Sequence, residues 1–115
     1  MKILLASLNA RYSHTALAPR LIREALAREG VAAELLEATI NTPSAFVAES
    51  IYLASPDLLA FSVYIWNADA VLRLIRRLRP VLPHALFVLG GPEAEDRAEE
   101  LLRSGAADLV LAGEG

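Results

Sequence analysis

Four short apolar runs, Ile3 to Leu8, Leu58 to Val63, Ala85 to Leu89 and Leu109 to Ala112, recur along the chain with longer amphipathic stretches between them. A strand with one wet face alternates apolar and polar residues, whereas a strand covered on both faces reads as a continuous apolar run. The runs therefore predict a parallel sheet with helices on both faces. A fifth stretch, Ala32 to Ala38, carries Glu34 and Glu37 among its apolar residues and belongs at a sheet edge.

The stretches between the runs follow helical spacing. Between Thr15 and Glu29, the side chains of Leu17, Leu21, Ile22, Ala25 and Leu26 fall on one face, Pro19 lies early enough to be tolerated, and Gly30 is placed to stop the helix. Thr42-Pro43 reads as an N-cap followed by proline at the first helical position, with Val47, Ile51 and Ala54 on the inner face and Ser55-Pro56 at the end. Asn67 is placed to cap a third helix that turns Val71, Leu74, Ile75 and Leu78 toward the sheet and Arg73, Arg76, Arg77 and Arg79 toward water, before Pro80 ends it. The arginines suit a solvated face near the negative end of the helix dipole, and a phosphate or partner site is the alternative. A single last helix is expected over Ala94 to Ser104, with Ala98, Leu101 and Leu102 inward.

Strand and helix thus alternate four times before a fifth strand. Right-handed crossovers leave few arrangements, and the doubly wound order 2-1-3-4-5, flavodoxin-like or Rossmann-like, puts the glutamate-bearing second strand at an edge. Its switch point lies between strands one and three, so the loops after those strands should form the binding crevice. The apolar fifth strand asks for cover on both faces, yet no helix follows Gly113-Glu114-Gly115. Residues 1–115 are accordingly expected to be one domain, the amino-terminal part of a longer protein.

Composition narrows the function. With 55% hydrophobic residues the chain has ample core for one domain. A balance of 11 Lys+Arg against 14 Asp+Glu, net charge -3, gives no field to hold a nucleic acid backbone. The absence of cysteine excludes disulfides, thiolate metal sites and cysteine nucleophiles from this chain. The apolar run at the amino terminus is interrupted by Asn9 and Arg11, too early for a signal core, and no run nears the roughly 20 residues of a membrane helix. A cytoplasmic protein is expected.

The loop residues Asn9, Arg11, Tyr12, Ser13 and His14 after strand one converge at the switch point with Ser62, Tyr64, Trp66 and Asn67 after strand three. After strand four, Gly90, Gly91, Pro92 and Glu93 allow close approach of a ligand to the backbone or form a tight turn. No nucleophile elbow, histidine pair or paired acids accompany them, and His84 falls at the opposite end of the sheet. A phosphoacceptor receiver is excluded, because Asn9, Ser62 and Gly113 stand in the regions that need acids and lysine. A flavin or nucleotide module lacks its glycine-containing phosphate loop.

The segments Leu8 to Ala18, Ala60 to Asn67, Leu89 to Glu93 and Gly113 to Gly115 resemble the amino-terminal cobalamin-binding domain of cobalamin-dependent radical S-adenosylmethionine proteins. The resemblance spans essentially the whole chain. It implies cobalamin on the carboxyl ends of the strands, with Ser62 and Tyr64 beside the corrin or its nucleotide tail. Gly90 and Gly91 would let that tail pass close to the backbone, Glu93 would open the next helix, and Gly113 and Glu114 would lead to a following domain. That domain would bind S-adenosylmethionine and a [4Fe–4S] cluster and would be the partner within the same chain. Many cobalamin modules carry an Asp-x-His-x-x-Gly motif whose His ligates cobalt. Here Asn9 and Arg11 stand in its place, which implies a base-off cofactor without a protein ligand and leaves His14 as a weak candidate cobalt ligand. The alternatives are an interaction or regulatory domain of the same fold that has lost the cofactor, and a flavin or nucleotide-binding module.

Overall fold

Three of the continuous apolar runs become the inner strands and the fourth an edge strand of a five-stranded, all-parallel sheet of order β2-β1-β3-β4-β5 in a computed structural model of the chain. The structure describes residues 1–9 and 17–111, and the backbone alone for 17–21. The strands are β1 (Ile3–Asn9), β2 (Ala33–Thr39), β3 (Leu58–Ser62), β4 (Leu86–Gly90) and β5 (Leu109–Val110). Between them run α1 (Leu17–Arg28), α2 (Ser44–Ala54), α3 (Ala68–Leu78), α4 (Pro92–Asp96) and α5 (Ala98–Ser104). The expected order, with β2 at an edge, is the observed one.

Pleating divides the strands between two faces. Leu4, Ala6 and Leu8 of β1, Leu59 and Phe61 of β3, and Phe87 and Leu89 of β4 join Val47 and Ile51 of α2 and Val71, Leu74, Ile75 and Leu78 of α3 in one core. Ala94 of α4 and Leu101 of α5 extend it. The opposite face carries Leu5, Ser7, Asn9, Ala60, Ser62, Val88 and Gly90, and α1 lies against its β1–β2 half. On that face Leu86, Leu109 and Leu111 stay 47%, 52% and 45% exposed.

Several local expectations are corrected. Pro43, with φ -55° and ψ 132°, occupies the N-cap of α2, because the Thr42 hydroxyl is engaged with the Thr39 N–H and hydroxyl at 3.2 and 3.1 Å. Asn67 does occupy the N-cap of α3 but makes no capping bond, since its side chain turns to β1 and β3. Arg79 does not simply face water. Its guanidinium lies 4.3 Å from the Phe87 ring centroid, donates to the Gly105 carbonyl at 2.9 Å and pairs with Asp108 at 3.0 Å. The single last helix is two, broken at Arg97 (φ -105°, ψ 17°), and the break turns Leu101 inward while Leu102 is exposed. In α1, Ile22 and Leu26 are half-buried but Ala25 is exposed.

Candidate functional site

The site is set by where β1 and β3 part. Their ladder runs from Ile3↔Leu58 to Ala6↔Phe61 and no further, whereas β1 continues beside β2 to Asn9↔Thr39 and β3 beside β4 to Ser62↔Gly90. A crevice at the carboxyl ends of β1 and β3 follows from this divergence, at the switch point of the order. Asn9, expected in the loop, is the last residue of β1. It is 8% exposed and its Oδ1 accepts a hydrogen bond from the Ser7 hydroxyl at 2.9 Å. Arg11, Tyr12, Ser13, His14, Gly113 and Glu114 lie outside the described residues.

After β3 the chain turns through Val63 to Trp66. Tyr64 and Trp66 stack with centroids 5.3 Å apart and planes 2° from parallel, while Ile65 between them is 83% exposed. The buried Asn67 closes the turn from below, its Oδ1 accepting the Tyr64 N–H at 2.8 Å. This turn is tied to the one after β4. Val63 N–H donates to the Gly90 carbonyl at 2.7 Å, and Glu93 N–H donates to the Val63 carbonyl at 3.2 Å.

The two glycines have different duties there. Gly91 has φ 96° and ψ 168°, and a Cβ on it would stand 2.6 Å from the Val63 carbonyl oxygen, so this position is closed to any other residue by the fold itself. A Cβ on Gly90 would meet nothing closer than Leu111 Cβ at 3.8 Å, and Gly90 forms part of an open floor. Pro92 opens α4, and Glu93 in its first turn pairs with Arg97 at 3.4 Å.

Gly90 lies in a cleft with Ala60 and Ser62, walled by Ile22 of α1, Tyr64 and Leu111. Its room is about 50 Å³, which holds no more than about two waters. A larger hollow of about 370 Å³ lies between α3 and α5, at Arg79 and Pro80 near the amino-terminal ends of the strands. The cleft lies at the switch point, where ligands of open α/β sheets bind, and a hollow of about 190 Å³ lined by Leu8, Thr39 and Arg73 also lies at the carboxyl ends, beside β1 and β2. The small residues Ala60, Ser62 and Gly90 leave the face of the sheet bare in the cleft. Among the described residues no group of three or more His, Asp or Glu is placed to hold a metal, and the exposed His84 precedes β4 at the far end of the sheet.

These features define a doubly wound domain with a cleft between β1, β3 and β4 at its switch point. The sequence matches the B12 binding domain over residues 3–115, and the chain belongs to that family. It is 34% identical over 64 residues to 2-(S-pantetheinyl)-carbapenam-3-carboxylate methyltransferase of Streptantibioticus cattleyicolor. It is 31% identical over 64 residues to the cobalamin-dependent radical SAM methyltransferase TokK of Streptomyces tokunonensis. Each match takes in 55% of this chain but 9% of the curated relative. In fold it is similar to a cobalamin-binding protein from Desulfitobacterium hafniense DCB-2, with TM-score 0.72 and 16% identity over 97% of this chain and 52% of that one. A CheY-like protein, tadZ of Pseudomonas aeruginosa PAO1, superposes with TM-score 0.64 at 14% identity, covering 95% of this chain and 85% of that one. At these identities both likenesses concern the fold alone.

Proposed function

We propose that this cobalamin-binding domain holds a corrinoid across the carboxyl ends of β1, β3 and β4 for a radical S-adenosylmethionine domain of the same polypeptide. The observation that carries the reading is the small-residue floor of Ala60, Ser62 and Gly90 at the switch point of a chain in the B12 binding family. When bound, the corrinoid supplies cobalt-centred group transfer, and the reading assigns the full protein methyl transfer or a related radical reaction.

The residues have distinct parts in this reading. Gly90 would leave room for the tail against the sheet, Ser62 and Tyr64 would border it, and the stacked Tyr64–Trp66 pair would offer an apolar surface that keeps water from the cofactor. Asn9, Arg11, Tyr12, Ser13 and His14 would complete the other rim, with His14 the candidate ligand to cobalt. The great length of the relatives beside this chain supports a following domain, which would hold S-adenosylmethionine and a [4Fe–4S] cluster. Gly113 and Glu114 would lead to it, and a cytoplasmic location goes with such chemistry. No helix of the described residues is long and apolar enough to cross a membrane.

Absorbance titration with hydroxocobalamin tests the reading. Saturable binding with a shifted corrin spectrum supports it, and no binding to the folded protein overturns it. His14→Ala should then change the spectrum if His14 is a ligand and leave it unchanged if the cofactor is base-off. A docking role without cofactor is the second reading, favoured by the exposed Leu86, Leu109 and Leu111 strip.

A further inference from the structure

Past Ala6 and Phe61, where the β1–β3 ladder stops, the Leu8 and Ser62 carbonyls have no partner in each other's strand. The Asn67 carboxamide reaches into that gap from the start of α3. Its Nδ2 donates to the Leu8 carbonyl at 3.2 Å and to the Ser62 carbonyl at 3.1 Å, and its Oδ1 accepts the Tyr64 N–H at 2.8 Å. Both amide hydrogens are therefore spent on the main chain. With the residue 2% exposed, no donor is left to offer a ligand.

We infer that Asn67 is a positioning residue of the corrinoid site, whose carboxamide fixes the separation of β1 and β3 at the crevice and holds the Tyr64–Trp66 ring pair over it. The inference rests on the proposed function and gives Asn67, expected from the sequence among the switch-point residues, the part of a clasp beneath the surface the cofactor meets. The chemistry is specific to Asn at this place. An Asp keeps the acceptor for Tyr64 but turns an oxygen toward two carbonyl oxygens, and an Ala leaves one N–H and two C=O groups buried without partners. Because Val63 is bonded to Gly90 and Glu93, movement of the turn after β3 is passed to the floor and to α4.

The test titrates hydroxocobalamin into the unaltered protein, Asn67→Ala, Asn67→Asp and a control, Leu78→Ala, whose fully buried side chain lies at the other end of α3. Urea unfolding ranks the losses of stability. Both Asn67 variants should bind about tenfold or more weakly, while the control stays within about twofold at a comparable or greater loss of stability. The emission of Trp66, the chain's single tryptophan, should shift in Asn67→Ala and shift less in Asn67→Asp, which retains the bond to Tyr64. In the unaltered protein, slow hydrogen exchange of the Tyr64 N–H checks the same clasp without a substitution. Equal binding by the Asn67 variants, or an equal loss in the control, overturns the inference while the corrinoid reading stands. If the unaltered protein does not bind, that reading fails by itself, the site role falls with it, and the emission and exchange measurements decide whether the clasp exists.

Discussion

Gly90 and Gly91 stand side by side at the end of β4 and answer to different forces. The Gly91 backbone lies in a region open essentially to glycine, and its missing Cβ leaves room for the Val63 carbonyl. Gly91→Ala should lose about 2–3 kcal/mol of stability in urea unfolding. Gly90→Ala meets only an ordinary contact with Leu111 and should change stability by less than about 0.5 kcal/mol. The added methyl stands on the cleft floor, so hydroxocobalamin binding should weaken, and unchanged binding would remove Gly90 from the site. In the sequence the glycine pair signalled a turn or a close approach of ligand to backbone. It could not show that one glycine serves the fold and the other faces the cleft, because that division depends on where Val63 and Leu111 arrive. Asn67 was legible in the same limited way: an Asn before an amphipathic helix reads as a cap, and the carbonyls that draw its side chain away lie on β1, 59 residues distant, and on β3.

At the scale of elements, strands and helix faces were legible because burial writes them into periodicity, and inter-element polar contacts were not. Arg79 belongs by spacing to the solvated face of α3, yet it joins α3 to the Gly105 carbonyl and to Asp108 before β5. Asp108 Oδ2 also accepts the Phe87 N–H at 2.8 Å, which makes this carboxylate the link between β4 and the short β5. Burial, the largest single influence, raises its pKa, but the Arg79 hydrogen bond, the Phe87 N–H and the Arg79 charge together hold it below the ordinary 3.8. A folded-state pKa below the unfolded one means that the charged form favours folding. This contribution is complete above pH 3.8 and is lost as pH falls through the lower folded value. Asp108→Asn should lower stability at neutral pH by about 1 kcal/mol, a figure kept small because both partners are partly solvated. The difference between the two proteins should vanish in strong acid, and urea unfolding across the acid range checks it. A difference independent of pH would mean that the carboxylate charge plays no part.

Over the whole molecule, the two faces of one sheet are covered unequally, and this asymmetry connects the fold to its setting. Crossovers β2–α2–β3, β3–α3–β4 and β4–α4–α5–β5 fall on one face, and among the described residues α1 alone lies against the other. Among the described residues the β4–β5 half of that second face carries no helix, and Leu109 and Leu111 of the last apolar run are half exposed there. The contrast is measurable with one pair of equal truncations. Leu89 is 0% exposed between β4 and the helices, and Leu89→Ala should cost about 2–5 kcal/mol through lost burial and the cavity left behind. Leu109, on the strand beside it but 52% exposed, should lose less than about 1 kcal/mol on the same change. Urea unfolding of the two variants at several protein concentrations reads the difference. Comparable losses would show that the strip is covered in solution, and a concentration dependence would identify the cover as a second copy. A small, concentration-independent loss at Leu109 leaves the strip free, which is the condition a docking role requires.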